Sequence, residues 1–109
     1  PAHTARAREI LGPDAWLCPA QRVCLTQDAR KARQVGRQIL SLYLSLPNYR
    51  NMLLDSGYTE VDFEGGGSDG LVDQLLGWGD EATIRARVQA HLDAGADHVC
   101  VHPIDPDEP

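Results

Sequence analysis

The spacing of apolar positions divides the chain into short segments whose period changes several times. The first run ends at Leu11, with Thr4 able to cap it, Gly12 where a left-handed C-terminal residue is wanted, and Pro13 forbidding continuation; this predicts a helix over residues 4–11. Residues 16–25 are apolar enough for a buried strand. Pro19 lacks the amide that a central ladder needs, so pairing is expected over residues 21–25. From Asp28 the period becomes helical: Ala32, Val35, Ile39, Tyr43 and Leu46 recur at steps of three and four, with Arg30, Lys31, Arg33, Gln34, Arg37 and Gln38 opposite. Pro47 ends that helix, and Asn48 offers a cap for a second one closed by Gly57.

Thr59 and Asp62 have the spacing of a capping box, which predicts one more helical turn. Gly65-Gly66-Gly67 reads as a flexible stretch before Ser68, the cap of a helix carrying Leu71, Val72, Leu75 and Leu76 that stops near Gly77-Trp78-Gly79. Asp80 caps a further helix, with Ile84, Val88 and Leu92 inward, Arg85, Arg87, Gln89 and Asp93 outward, and Gly95 at its end. Residues 98–102 read as a short strand ended by Pro103, and residues 103–109 as a disordered tail. No hairpin dipeptide joins the two strands, so they are expected to pair in parallel through a right-handed helical crossover, an α/β unit. Two strands cannot bury both faces of a parallel sheet, so neighbouring strands and helices are missing from this picture.

Composition narrows the class. At 109 residues the chain is well short of the roughly 250 that a closed eight-stranded β/α barrel needs. No apolar run approaches the ~20 residues that cross a bilayer, so no membrane is expected as a partner. The chain begins at Pro1 rather than Met and reads as cut from something longer. The net charge of −6 is uneven: residues 1–55 carry 8 basic against 4 acidic side chains, residues 56–109 carry 2 against 12. An acidic chain is repelled by phosphate backbones, and the arginines of the basic half fall on a helix at solvent-face spacing, which argues against nucleic acid. Cys18, Cys24 and Cys100 form no C-x-x-C pair, which argues against a disulfide framework or zinc ribbon and suggests a reducing cytoplasm.

His98, Cys100 and His102 alternate and so share a strand face, a reasonable set of metal-ligand types. Side chains two apart on a strand are separated by about 6.6 Å, so three in a row converge poorly on one ion and no metal site is expected. His102 is kept as a pocket candidate because it lies at the C-terminal end of a parallel strand, where α/β proteins place ligand groups. Gly65-Gly66-Gly67-Ser68 could cradle a phosphate, although no P-loop or dinucleotide fingerprint is present and a serine-capped loop explains it as well. Leu46-Pro47-Asn48-Tyr49-Arg50-Asn51 joins a helix break, a phenol and a cation, which suits either a pocket wall or a helix corner. His91 falls beside the apolar face of its helix and reads as a packing histidine. The cysteines read as small core residues, and no serine nucleophile elbow is present.

Four stretches together carry a resemblance: residues 4–12, Leu46-Pro47-Asn48-Tyr49-Arg50-Asn51, Trp78-Gly79-Asp80-Glu81, and Ala94-Gly95-Ala96-Asp97-His98-Val99. In this order they resemble the C-terminal part of luciferase-like monooxygenase family proteins, in particular the class using the deazaflavin coenzyme F-420. The resemblance spans nearly the whole chain. It implies that the chain is the C-terminal part of an eight-stranded (β/α)8 TIM barrel, two parallel strands with a long helical insertion between them. It also implies an oxidoreductase in the intact protein, transferring hydride or performing monooxygenation on a small-molecule substrate with coenzyme F-420 or FMN. Most cofactor contacts and the catalytic residues of the family lie in the first six strands, so no catalytic residue carries over and the chain alone is expected to be inactive. Also lacking is the final helix expected after the eighth strand. The pocket candidates are Asn48, Tyr49, Arg50 and His102, with Arg50 able to pair with an anionic substrate or cofactor tail. The expected partner is the missing N-terminal barrel part or a second copy. The alternative is a non-enzymatic helical interaction protein that self-associates or pairs with a partner half-barrel.

Overall fold

The computed structural model describes residues 1–107. Eight regular elements follow one another: α1 (Ala2–Leu11), β1 (Ala20–Leu25), α2 (Ala29–Leu44), α3 (Pro47–Asp55), α4 (Asp69–Leu75), β2 (Leu76–Gly79), α5 (Glu81–Asp93) and β3 (Cys100–Pro103). A 3-10 helix, Glu60–Gly66, joins α3 to α4. The chain is thus an α/β domain whose three strands are all parallel, in the order β2-β1-β3 with β1 central.

Local side-chain chemistry starts several of these elements. Asp28 accepts from the Lys31 amide at the head of α2, Ser68 from the Leu71 amide at α4, and Asp80 from the Thr83 amide at α5. Thr59 and Asp62 form the expected capping box. Thr4 does not cap α1: it lies inside the helix, and its hydroxyl meets His91 Nδ1 at 2.8 Å. Asn48 caps nothing, because α3 begins one turn position earlier with Leu46 as cap residue and Pro47 inside its first turn.

The two faces of the sheet are covered differently. Along β1, Gln21 and Val23 point to one face: Gln21 Oε1 meets His91 Nε2 of α5 at 2.8 Å, and a Cβ added at Gly77 would lie 3.6 Å from Val23 and 3.3 Å from Arg87 of α5. Arg22 and Cys24 alternate to the other face, where Arg22 reaches the Tyr43 hydroxyl of α2. On that face Leu40, Leu44, Leu53, Phe63, Leu71 and Val72 form the main core. Gly36 of α2 allows its close approach, since a Cβ there would lie 2.5 Å from Val72 Cγ1.

A strand, Leu76–Gly79, stands where Gly77-Trp78-Gly79 reads in the sequence only as a helix stop. Pairing with β1, Leu76 opposite Arg22 through Gly79 opposite Leu25, makes these residues extended. The inward face of α5 also differs from the one expected. Ile84, Arg87, Val88 and His91 turn toward the molecule, His91 being only 6% exposed, while Leu92 is 38% exposed. The Arg87 guanidinium accounts for the rotation, donating to the carbonyls of Asp73 and Gln74 at 2.7 and 2.9 Å.

Gly65-Gly66-Gly67, expected as a flexible loop, closes the 3-10 helix with positive φ at all three glycines. The stretch expected as a tail keeps contact with the sheet: the Ile104 amide donates to the Val23 carbonyl at 2.8 Å, and Lys31 reaches the Asp107 carboxylate at 2.7 Å. Glu108 and Pro109 lie outside the described residues. Among the described residues no helix is long and apolar enough to cross a membrane.

Candidate ligand site

In a parallel pair the register partners share a face, so the partnership of Arg22 with His102 places both side chains on the α2 side of the sheet. Arg22 lies between this edge and the helices. Its guanidinium donates to the Tyr43 hydroxyl and stands 5.0 Å from the centre of the Tyr43 ring, a cation–π arrangement. The Tyr49 ring of α3 follows, its centroid 4.9 Å from that of Tyr43. Arg22, Tyr43 and Tyr49 line a shallow cleft of about 20 Å³ together with Ile39, Leu40, Leu75 and Leu76. Burial pushes the Tyr49 phenol above its ordinary pKa while the Arg22 charge pulls it back, so at neutral pH it is a protonated donor.

The pocket candidates do not all converge. Tyr49 lines the cleft with Arg22, whereas His102 shares only its face of the sheet and is not part of the lining. Consecutive residues of a helix diverge by about 100°, and Asn48 and Arg50 accordingly leave in other directions. Asn48 is exposed and lines a separate open cleft with His3, Ile10 and Met52. Arg50 binds the Glu60 carboxylate at 2.5 Å and stands 4.9 Å over the Phe63 ring. Its cation is therefore occupied inside the chain. Sequence reading missed Arg22 and Tyr43. Only the strand assignment, which turns every second residue to the helical side, hinted at Arg22.

The other candidate groups divide between structure and open surface, and of the cysteines expected in the core only Cys24 is buried, Cys18 and Cys100 being exposed. His98 stacks on Trp16, ring centroids 6.3 Å apart, while Cys100 and His102 are exposed along the edge strand. Cys24 is fully buried, and its thiol is pushed up by burial and then by Asp105 and Asp107. The Gly67 amide donates to Asp62 and Glu64 carbonyls and the Ser68 amide to the Asp62 carbonyl, so these amides are not free to cradle a phosphate. His91, held between Thr4 and Gln21, is the packing histidine its position suggested.

A larger cleft of about 470 Å³ opens at the N-terminal ends of the strands, between α1 and α3, with Ala20, Gln21, Met52, Tyr58 and Leu75 among its lining. In parallel α/β sheets the ligand end is the opposite one. Comparisons with protein-family models, curated proteins and solved structures yield no match to this chain.

Proposed function

We propose that this chain is the C-terminal portion of a luciferase-like flavin- or deazaflavin-dependent oxidoreductase, in which β1 and β3 are neighbouring strands of a (β/α)8 barrel and α5 lies outside them. One observation supports this most: β3 pairs with β1 in parallel register yet all four of its residues are exposed, as in a strand whose next neighbour is absent. On this reading Arg22, Cys24, Cys100 and His102 face the barrel interior, opposite α5, and α2 with its core, which covers that face in this chain, has to leave it. Its substrate is a small molecule, its coenzyme F-420 or FMN, and its reaction hydride transfer or monooxygenation in the intact barrel. The free thiols of Cys18, Cys24 and Cys100 accord with a cytoplasmic setting.

These residues alone do not fit a tricyclic coenzyme. The cleft at Arg22 has interior room for about one water-sized group, so the walls of a coenzyme pocket come from other strands and the isolated chain is inactive. The reading also requires β2 to move, because β2 occupies the flank of β1 that the preceding barrel strand would take.

The test mixes the chain with the N-terminal six-strand part of a luciferase-like barrel and follows quenching of F-420 and FMN fluorescence, with hydrogen exchange at β2 and β3. The expected result is coenzyme binding only in the mixture, slower exchange in β3 and faster exchange in β2. A mixture that binds neither coenzyme overturns the reading.

The placement of β2 favours one alternative. A chain that covers one flank of β1 by itself and leaves β3 as its open edge is suited to self-association through β3, as an interaction protein without enzymatic activity. Coenzyme binding in the mixture separates the two.

A further inference from the structure

We propose that Arg22 anchors a binding site for a small oxyanion, a carboxylate or phosphate group, at the mouth of the cleft between β1, β2 and α2, with Tyr43 and Tyr49 beside it. The site rests on this chain's own geometry and stands whether or not the barrel reading does.

The half-buried arginines divide by their partners. Arg8 has Asp97 and three carbonyls, Arg33 has Asp73, Arg37 has Asp69 and the Gly67 carbonyl, Arg50 has Glu60, and Arg87 has two carbonyls. Arg22 is half-buried on the central strand, and among the described residues its only hydrogen-bond partner is a neutral hydroxyl, that of Tyr43. A guanidinium carries five N–H donors. Partial burial has removed water from this one without supplying an opposite charge, so an oxyanion arriving there meets a cation whose desolvation is already partly met.

The surroundings suit that ligand. The contact with the Tyr43 ring holds the guanidinium plane, which favours the two-pronged pairing that arginine makes with carboxylate or phosphate. The Tyr49 phenol stays protonated and can donate. His102, the register partner of Arg22 in β3, shares that face of the sheet and is exposed, outside the lining of the cleft. The void of the cleft has room for about one water-sized group, so it takes at most one oxygen of the oxyanion while the rest of the group stays at the open mouth, and no nucleotide or ring system enters. The acidity of the whole chain does not decide the matter, because residues 1–55, which hold Arg22 and both tyrosines, carry a net +4.

The experiment titrates the isotope-labelled full chain with acetate, with inorganic phosphate and, at matched ionic strength, with chloride. Chemical shifts of the Arg22 side chain and the Tyr49 ring are followed by NMR. Saturable shifts at both residues with acetate or phosphate and none with chloride are expected; response to one oxyanion only identifies which of the two the site takes. Arg22→Gln should weaken binding by about tenfold or more, the range of a lost charge-assisted hydrogen bond. If Arg22→Gln fails to fold, Tyr49→Phe carries the test, expected to raise the dissociation constant at least about twofold for one lost hydrogen bond. Absence of saturation, equal response to chloride, or shifts that map away from Arg22 overturn the proposal, as does an affinity unchanged in the folded variants.

Discussion

His91 is 6% exposed, yet both ring nitrogens are satisfied. The Gln21 amide donates to the carbonyls of Arg22 and Leu75, which leaves its oxygen to accept from Nε2–H; Nδ1 then accepts from the Thr4 hydroxyl at 2.8 Å. The ring is therefore a neutral imidazole. Burial, followed by the Pro1 amine and the Arg87 guanidinium, lowers its pKa from the ordinary 6.5. The unfolded chain accordingly takes up the proton at higher pH than the folded one. This contribution to stability is complete above about pH 6.5 and is lost as pH falls below it, levelling off once the folded state is protonated. Urea unfolding should show a midpoint that drops between about pH 7.5 and pH 5, and a much flatter profile in His91→Gln. Asp73, held below its ordinary value by Arg33, and Asp97, held by the Leu17 amide and then Arg8, lose their contributions only under more acid conditions. Thr4→Val removes the donor to Nδ1 and should cost about 1–3 kcal/mol at neutral pH, read from the same urea curves.

Elements whose signals are local were legible in the sequence. Asp28, Ser68, Asp80 and the Thr59–Asp62 pair act within four residues of themselves, so composition and spacing sufficed to find them. Elements decided by distant partners were not. Leu76-Gly77-Trp78-Gly79 becomes a strand only because β1 accepts it, and Arg22 becomes a half-buried cation over Tyr43 only because a sheet and a helix 21 residues apart are brought together. The same distinction decides what Gly36 does. Helix propensity alone makes Gly→Ala favourable by about 1 kcal/mol in mid-helix. Here the added Cβ would lie 2.5 Å from Val72 Cγ1 and 3.6 Å from Leu76. Overpacking of about 1–3 kcal/mol wins, so Gly36→Ala should lower the melting temperature rather than raise it. Asp80→Ala offers the contrasting case: it deletes the acceptor for the Thr83 amide at 2.8 Å and should cost about 1 kcal/mol with the fold intact, measured by thermal and urea unfolding.

For the molecule as a whole, coverage of the sheet runs from complete to absent across three strands. β2 has buried positions and packs against helices on both faces, β1 is flanked by strands on both sides, and β3 has one neighbour and four exposed residues. Among the described residues its outer edge has no strand neighbour, and Val101 on it and Trp16, which stacks on His98, are 44% and 72% exposed. Natural sheets protect such edges with charge, proline or cover; among the described residues only Pro103 at its end does so. The edge should therefore find a partner at high concentration, whether the missing barrel strands or a second copy. Sedimentation of the isolated chain is expected to show concentration-dependent association. Val101→Lys, which puts a charge on the open strand without removing a buried contact, should give a monomer of nearly unchanged stability. Slower hydrogen exchange in β3 at high concentration, absent in Val101→Lys, would place the contact at that strand. A chain monomeric at every concentration would show that β3 is protected some other way, and an association that survives Val101→Lys would move the interface to the exposed Ile10 and Leu11 of α1.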